Sequence, residues 1–102
     1  MIREIGFVEV LEGREPEFEA AIKVAASTVL PRAKGFIDFE IHRGIERPNV
    51  YTFTLHWETL EDHTIGFRES SLFAEWRAII GPFFVTPPTV EHWTPLWELP
   101  RS

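Results

Sequence analysis

One heptapeptide constrains the fold more than any other feature. From Tyr51 to Trp57, the residues Tyr51, Phe53, Leu55 and Trp57 fall on one parity, and Thr52, Thr54 and His56 on the other. A two-residue period built from aromatic and β-branched side chains reads as a strand with one face in a core. The question for the rest of the chain is what covers that face.

Flanking segments answer it. Ile2 to Val10 reads as a first strand, with Ile5 and Phe7 on one parity and Glu4, Gly6 and Val8 on the other. Leu11-Glu12-Gly13-Arg14 forms a turn, and Pro16 suits the first turn of a helix whose positive end Glu15, Glu17 and Glu19 crowd. Phe18, Ala21, Ile22, Ala25 and Val29 recur at helical spacing and Pro31 stops the run. Phe36 to His42 is a second strand in which Ile37, Phe39 and Ile41 alternate with Asp38, Glu40 and His42, and Gly44 to Asn49 is the turn into Tyr51–Trp57. Thr59-Leu60-Glu61-Asp62 has the form of a capping box, which predicts a helix from about Leu60 with Leu60, His63 and Phe67 on one side. Ser70 and Ser71 interrupt that helix and cap a second piece over about Leu72 to Ile80. Val90 to Leu96 is a last strand, at an edge because it carries Pro95.

The order is β-α-β-β-α-β with a broken second helix. It predicts an α+β, ferredoxin-like sandwich forming one domain over residues 1–102. Helices cover only one face of such a sheet. The other face calls for a second copy, so an isologous homodimer is expected. Aromatics make up 14% of the chain, a share that suits a core, a ligand cavity or a subunit interface alike.

Composition narrows the function. The formal charge is −6 and no run of Lys or Arg exists, so nucleic acid is not an expected partner. The absence of cysteine excludes disulfides, thiolate metal sites and cysteine nucleophiles. Met1 to Val10 lacks a signal peptide's apolar block, and the longest apolar stretch, Ala78 to Val85, is broken by Gly81 and Pro82. The expectation is a cytoplasmic protein without a membrane partner. Histidines 42, 56, 63 and 92 show neither HxxxH nor HxH spacing, and there is no GxGxxG or GxSxG, so no metal or nucleotide cofactor is signalled.

Three residues stand out chemically. Arg77 shares a helical face with Phe73 and Ile80, where a guanidinium needs an anion: a ligand, or a structural partner such as Asp38, Glu40 or a carboxylate of another copy. His63 lies on the apolar side of the Thr59-capped helix, where it can act as acid or base or be a satisfied, half-buried histidine. Trp57 ends its strand beside Phe53 and can stack on a flat ligand or simply fill the core.

The stretch Trp57-Glu58-Thr59, then Glu61-Asp62-His63, Ser70-Ser71-Leu72-Phe73 and Pro88-Thr89-Val90-Glu91-His92-Trp93, with Gly35-Phe36 opening the second strand, resembles the antibiotic biosynthesis monooxygenase family. The resemblance implies a dimeric α+β barrel with a pocket between sheet and helices. It also implies oxidation of a phenol, quinol or anthrone with O₂ and no metal, flavin or haem cofactor. Matched by position, the family's pocket residues fall on Trp57, His42, His63 and Arg77. His63 stands where the best-known anthrone oxidase has a tyrosine, and Phe53 where it has a substrate-polarising asparagine. The implied mechanism uses His42 or His63 as base and Arg77 to stabilise the oxyanion, with Trp57 and Phe53 holding the ring. Other readings are a non-oxidative isomerase or cyclase, or a small-aromatic-ligand binder without turnover. The haem-degrading branch of the same fold fits less well, because Trp76 and Arg77 occupy the region where it carries an axial histidine.

Overall fold

Strand β1 (Ile2–Glu9) leads into helix α1 (Glu15–Thr28), followed by strands β2 (Phe36–Arg43) and β3 (Val50–Trp57). A π-helical turn (Asp62–Phe67), helix α2 (Ser71–Ile80) and strand β4 (Thr89–Trp93) complete the order, in a computed structural model that describes residues 1–100. All strand pairs are antiparallel and the sheet order is β2-β3-β1-β4, the ferredoxin-like α+β arrangement expected from the sequence. β4 is an edge strand as predicted, but it stops at Trp93, before Pro95 removes a backbone donor. No helix among the described residues is long and apolar enough to cross a membrane.

Both helices lie against one face of the sheet. That face carries Tyr51, Phe53, Leu55 and Trp57 from β3, and α1 buries Phe18, Ile22 and Ala25. The first strand turns inward the parity that carries Glu4 and Gly6, not the one that carries Ile5 and Phe7. Glu4, Gly6 and Val8 are buried, while Phe7 is 43% exposed on the opposite face. Register explains the choice at Gly6, which pairs with Phe53: a Cβ there would sit 2.2 Å from the Phe53 ring. Only glycine lets that ring lie across β1, and the ring is part of the cavity described below.

A bulge at Ile37 corrects the expected pattern of β2. Phe36 pairs with Trp57 and Asp38 with His56, so one residue is skipped. Phe36 therefore packs edge-on against Trp57, and Phe39 and Ile41 keep the inner face, while Ile37 is 44% exposed. Just before the bulge, Gly35 has φ +82° and lies so close to the Asp62 side chain that any Cβ would collide with it. Its carbonyl accepts the Glu58 N–H at 2.8 Å. This close approach ties the end of β3 and the π turn to the start of β2.

Both predicted caps form. Thr59 Oγ1 accepts the Asp62 N–H at 3.1 Å, and Ser70 Oγ accepts the Leu72 N–H at 3.2 Å. Between them the chain widens, with the Arg68 N–H donating to the His63 carbonyl five residues back at 3.0 Å. The π turn buries both His63 and Phe67.

Candidate active site

A cavity of about 520 Å³ opens between the inner sheet face, the π turn, α2 and the segment after it, a size ordinary for a small-molecule site. Phe53, Leu55, Phe67, Phe73, Trp76 and Ile80 make most of its wall. The segment after α2 closes one side and is stitched to the end of β1. Leu11 N–H donates to the Phe83 carbonyl and Val85 N–H to the Glu9 carbonyl, both at 2.9 Å. The polar groups on this wall include Glu4, His63, Arg68 and Arg77.

Glu4 is the centre of the polar chemistry. Its residue is 4% exposed, and it comes from β1 between Leu55 of β3 and His92 of β4. Trp57 Nε1–H donates to Glu4 Oε1 at 2.9 Å, and His63 Nε2 lies 3.2 Å from the same oxygen. His63 Nδ1 is 2.8 Å from His92 Nε2. The His63 ring stacks on Trp57 with centroids 5.2 Å apart and planes at 23°. Glu4 Oε2 has no hydrogen bond among the described residues, yet no sealed polar side-chain atom there lacks one, so Oε2 is the oxygen that opens into the cavity.

Burial sets the protonation of this cluster. It pushes the Glu4 carboxyl up to about 7, against the smaller opposing pulls of the Trp57 hydrogen bond and the Arg68 charge. Burial also drives His63 down to about 3, with help from Arg68 and His92, and His92 is lowered by burial and Arg68. The 3.2 Å contact has the geometry of an ion pair, but in this low-dielectric setting the neutral forms of both groups are favoured. A carboxyl that titrates near neutrality beside an apolar cavity can take or give a proton there.

The residues singled out in the sequence are only partly brought together. His63, Arg77 and Phe53 line the cavity. Arg77 is exposed, its guanidinium 5.8 Å from the Phe73 ring centroid, and it makes no ion pair among the described residues. Its expected partners Asp38 and Glu40 are on the far side of the sheet, opposite His56 and Thr54. His42 corrects the prediction: it pairs with Thr52 on the outer face, 3.6 Å from Glu40, away from the cavity. Trp57 also does not line the cavity. It is wholly buried and supports Glu4 and His63 from behind. Sequence reasoning missed Glu4, Arg68 and His92. The one signal bearing on Glu4 was that Ile2, Val8 and Val10 share its parity, and Ile5 and Phe7 on the other parity opposed it. Among the described residues no three His, Cys, Asp or Glu side chains converge as metal ligands.

Comparison with known proteins gives this architecture a family. The chain is 42% identical over 92 residues to the uncharacterized protein YczJ of Bacillus subtilis (strain 168), covering 90% of this chain and 96% of that one. A Bordetella bronchiseptica protein named for an antibiotic biosynthesis monooxygenase superposes with TM-score 0.90 at 40% identity, covering 94% of this chain and 97% of that one. SnoaB of Streptomyces nogalater, a cofactor-independent oxygenase solved as an asparagine-to-alanine mutant, has TM-score 0.80 at 17% identity over 98% of this chain and 97% of its own, a likeness of fold. The family model described as antibiotic biosynthesis monooxygenase matches residues 1–79, and the chain belongs to that family.

Proposed function

We propose that this protein is a cofactor-independent monooxygenase that oxidises a phenol, quinol or anthrone-type small molecule with O₂. The observation that carries the reading is the Glu4 carboxyl, raised toward neutrality by burial, with one oxygen open to a largely apolar cavity. Glu4 takes a proton from the ligand, whose bonding electron pair stays behind as an anion spread over the ring system. Arg68 and Arg77, both on the wall without carboxylate partners among the described residues, stabilise the developing oxyanion. The anion adds to O₂, forming one C–O bond and a peroxide anion. Protonation of the peroxide gives a hydroperoxide, and breaking its O–O bond together with the remaining C–H bond at that carbon releases water and leaves the carbonyl product. The apolar wall keeps bulk water from competing. His63 and Trp57 position the Glu4 carboxyl.

The test is O₂ uptake by metal-stripped protein with anthrones, naphthols and quinols, comparing wild type with Glu4→Gln and Arg77→Ala. Removal of the base is expected to lower the rate by about 100-fold or more. Uptake that Glu4→Gln leaves unchanged would overturn the assignment. A second reading rests on Phe53, which gives the cavity an apolar side where the family carries an amide. If ring-bearing ligands bind without O₂ uptake, the protein is a binding module, or an isomerase using Glu4 in the same way. The assembly that fits this site is a homodimer joined through the outer sheet face.

A further inference from the structure

We propose that Glu4, His63 and His92 form a proton relay that connects the cavity to solvent through the edge strand. The three side chains come from three separate elements, β1, the π turn and β4, and follow one another as one 3.2 Å polar contact and one hydrogen bond. Glu4 Oε1 meets His63 Nε2 at 3.2 Å, and His63 Nδ1 meets His92 Nε2 at 2.8 Å. Both ends are open. Glu4 Oε2 faces the cavity, as argued above. His92 Nδ1 has no hydrogen bond among the described residues and is not sealed, and His92 is not part of the cavity wall. That nitrogen therefore opens outside the cavity.

The 3.2 Å contact between Glu4 and His63 is close but off the direction of a hydrogen bond, and once the carboxyl turns into line with His63 Nε2 two arrangements of hydrogens satisfy the chain. In one, Glu4 carries its proton on Oε1 and donates to His63 Nε2, while His63 Nδ1–H donates to His92 Nε2. In the other, His92 Nε2–H donates to His63 Nδ1 and His63 Nε2–H donates to Glu4 Oε1. Passing from the first to the second moves one proton outward. A ligand proton arrives on Glu4 Oε2 as the Oε1 proton leaves for His63 Nε2; the His63 Nδ1 proton goes to His92 Nε2, and the His92 Nδ1 proton enters solvent. The reverse passage brings one proton in. If the site is the oxygenase proposed above, one turnover uses each direction once: outward as the ligand loses its proton, inward as the peroxide anion gains one. Each cycle then restores the starting arrangement with no ring flip.

Three features suit the chain to conduction. The middle ring is fixed, because His63 is stacked on Trp57 and only 3% exposed. Trp57 Nε1–H holds Glu4 Oε1 in place from behind. Arg68, joined to His63 by the π-turn hydrogen bond, places a positive charge near all three groups and disfavours an imidazolium that would trap the moving proton. A histidine pair serving only to fill space needs neither an accessible outer nitrogen nor a carboxyl at its inner end.

The relay can be tested without a ligand. In protein carrying ¹⁵N-labelled histidine, exchange of the His63 ring N–H with D₂O is measured for wild type, His92→Phe and His92→Gln, with backbone amide spectra confirming the fold. The relay predicts exchange slowed by roughly tenfold or more in both variants, since neither side chain accepts a proton at one atom and releases another. His92→Gln keeps a hydrogen bond to His63 and carries the test if the Phe variant fails to fold. Loosened packing moves exchange the opposite way, so unchanged or faster exchange overturns the relay. The same samples are assayed for O₂ uptake. Slowed ring exchange without wild-type uptake keeps the relay and removes the oxygenase. Uptake with unaltered ring exchange does the reverse.

Discussion

At the scale of single residues, Glu4 and His63 tie the site to stability. Glu4 is raised from the usual 4.5 to about 7, so its favourable protonated form is fully present below pH 4.5 and lost as pH rises through 7. His63 is lowered from 6.5 to about 3, so its favourable neutral form is present above 6.5 and lost as pH falls through 3. Between pH 4.5 and 6.5 the unfolded chain holds one proton on this pair, on the histidine, and the folded pair also holds one. The two slopes cancel there, wherever the folded pair keeps its proton. Glu4→Gln removes one of them. Urea denaturation across this window is expected to show the variant gaining about 2 kcal/mol on wild type between pH 4.5 and 6.5. Parallel curves would mean that Glu4 is not raised.

At the scale of elements, the π turn sets where His63 and Phe67 stand on the cavity wall. Thr59 and Ser70 cap the pieces on either side of it, and both caps were legible because a side-chain oxygen before a helix satisfies free N–H groups locally. The wide turn between them was not legible, since its i→i+5 bond depends on His63 reaching Glu4 and on Asp62 fitting against Gly35. Deleting Gly66 removes one residue and favours ordinary α-helical bonding. That change rotates His63 by about 100° relative to Phe67 and α2. The expected result is loss of the His63–Trp57 stacking, seen as a change in near-ultraviolet circular dichroism, with α2 retained in the far-ultraviolet. Ser70→Ala, by contrast, should cost about 1 kcal/mol of stability and leave ligand binding intact. Equal damage from the two changes would deny the π turn its specific role.

At the scale of the whole molecule, the sheet is covered on one face only. The other face shows Phe7 and Trp93, 43% and 53% exposed, among Thr52, Thr54 and the His56–Asp38 pair, whose Nδ1 and Oδ1 are 2.8 Å apart. Leu96 and Trp97 follow β4 and are 94% and 82% exposed. A second copy covering this face would bury these side chains around a self-complementary centre. Sedimentation at micromolar concentration is expected to give a dimer for wild type and a monomer for Phe7→Glu/Trp93→Glu. A monomeric wild type would remove the interface.

The sequence by itself determined the order of elements, the stripe of α1, its stop before Pro31, and both caps. Each is a local property, carried by a period of two or 3.6 residues, a capping oxygen or a proline. It did not determine which face of β1 turns inward, because Ile5 and Phe7 compete with Ile2, Val8 and Val10 over a strand of eight residues. Nor did it reveal the bulge at Ile37, which depends on pairing with β3. Only the tertiary structure joined Glu4 and His92 to Trp57 and His63, from opposite ends of the chain. A buried carboxyl is tolerable only where other elements bring it donors, and that supply is a property of the packed sheet, not of any one segment.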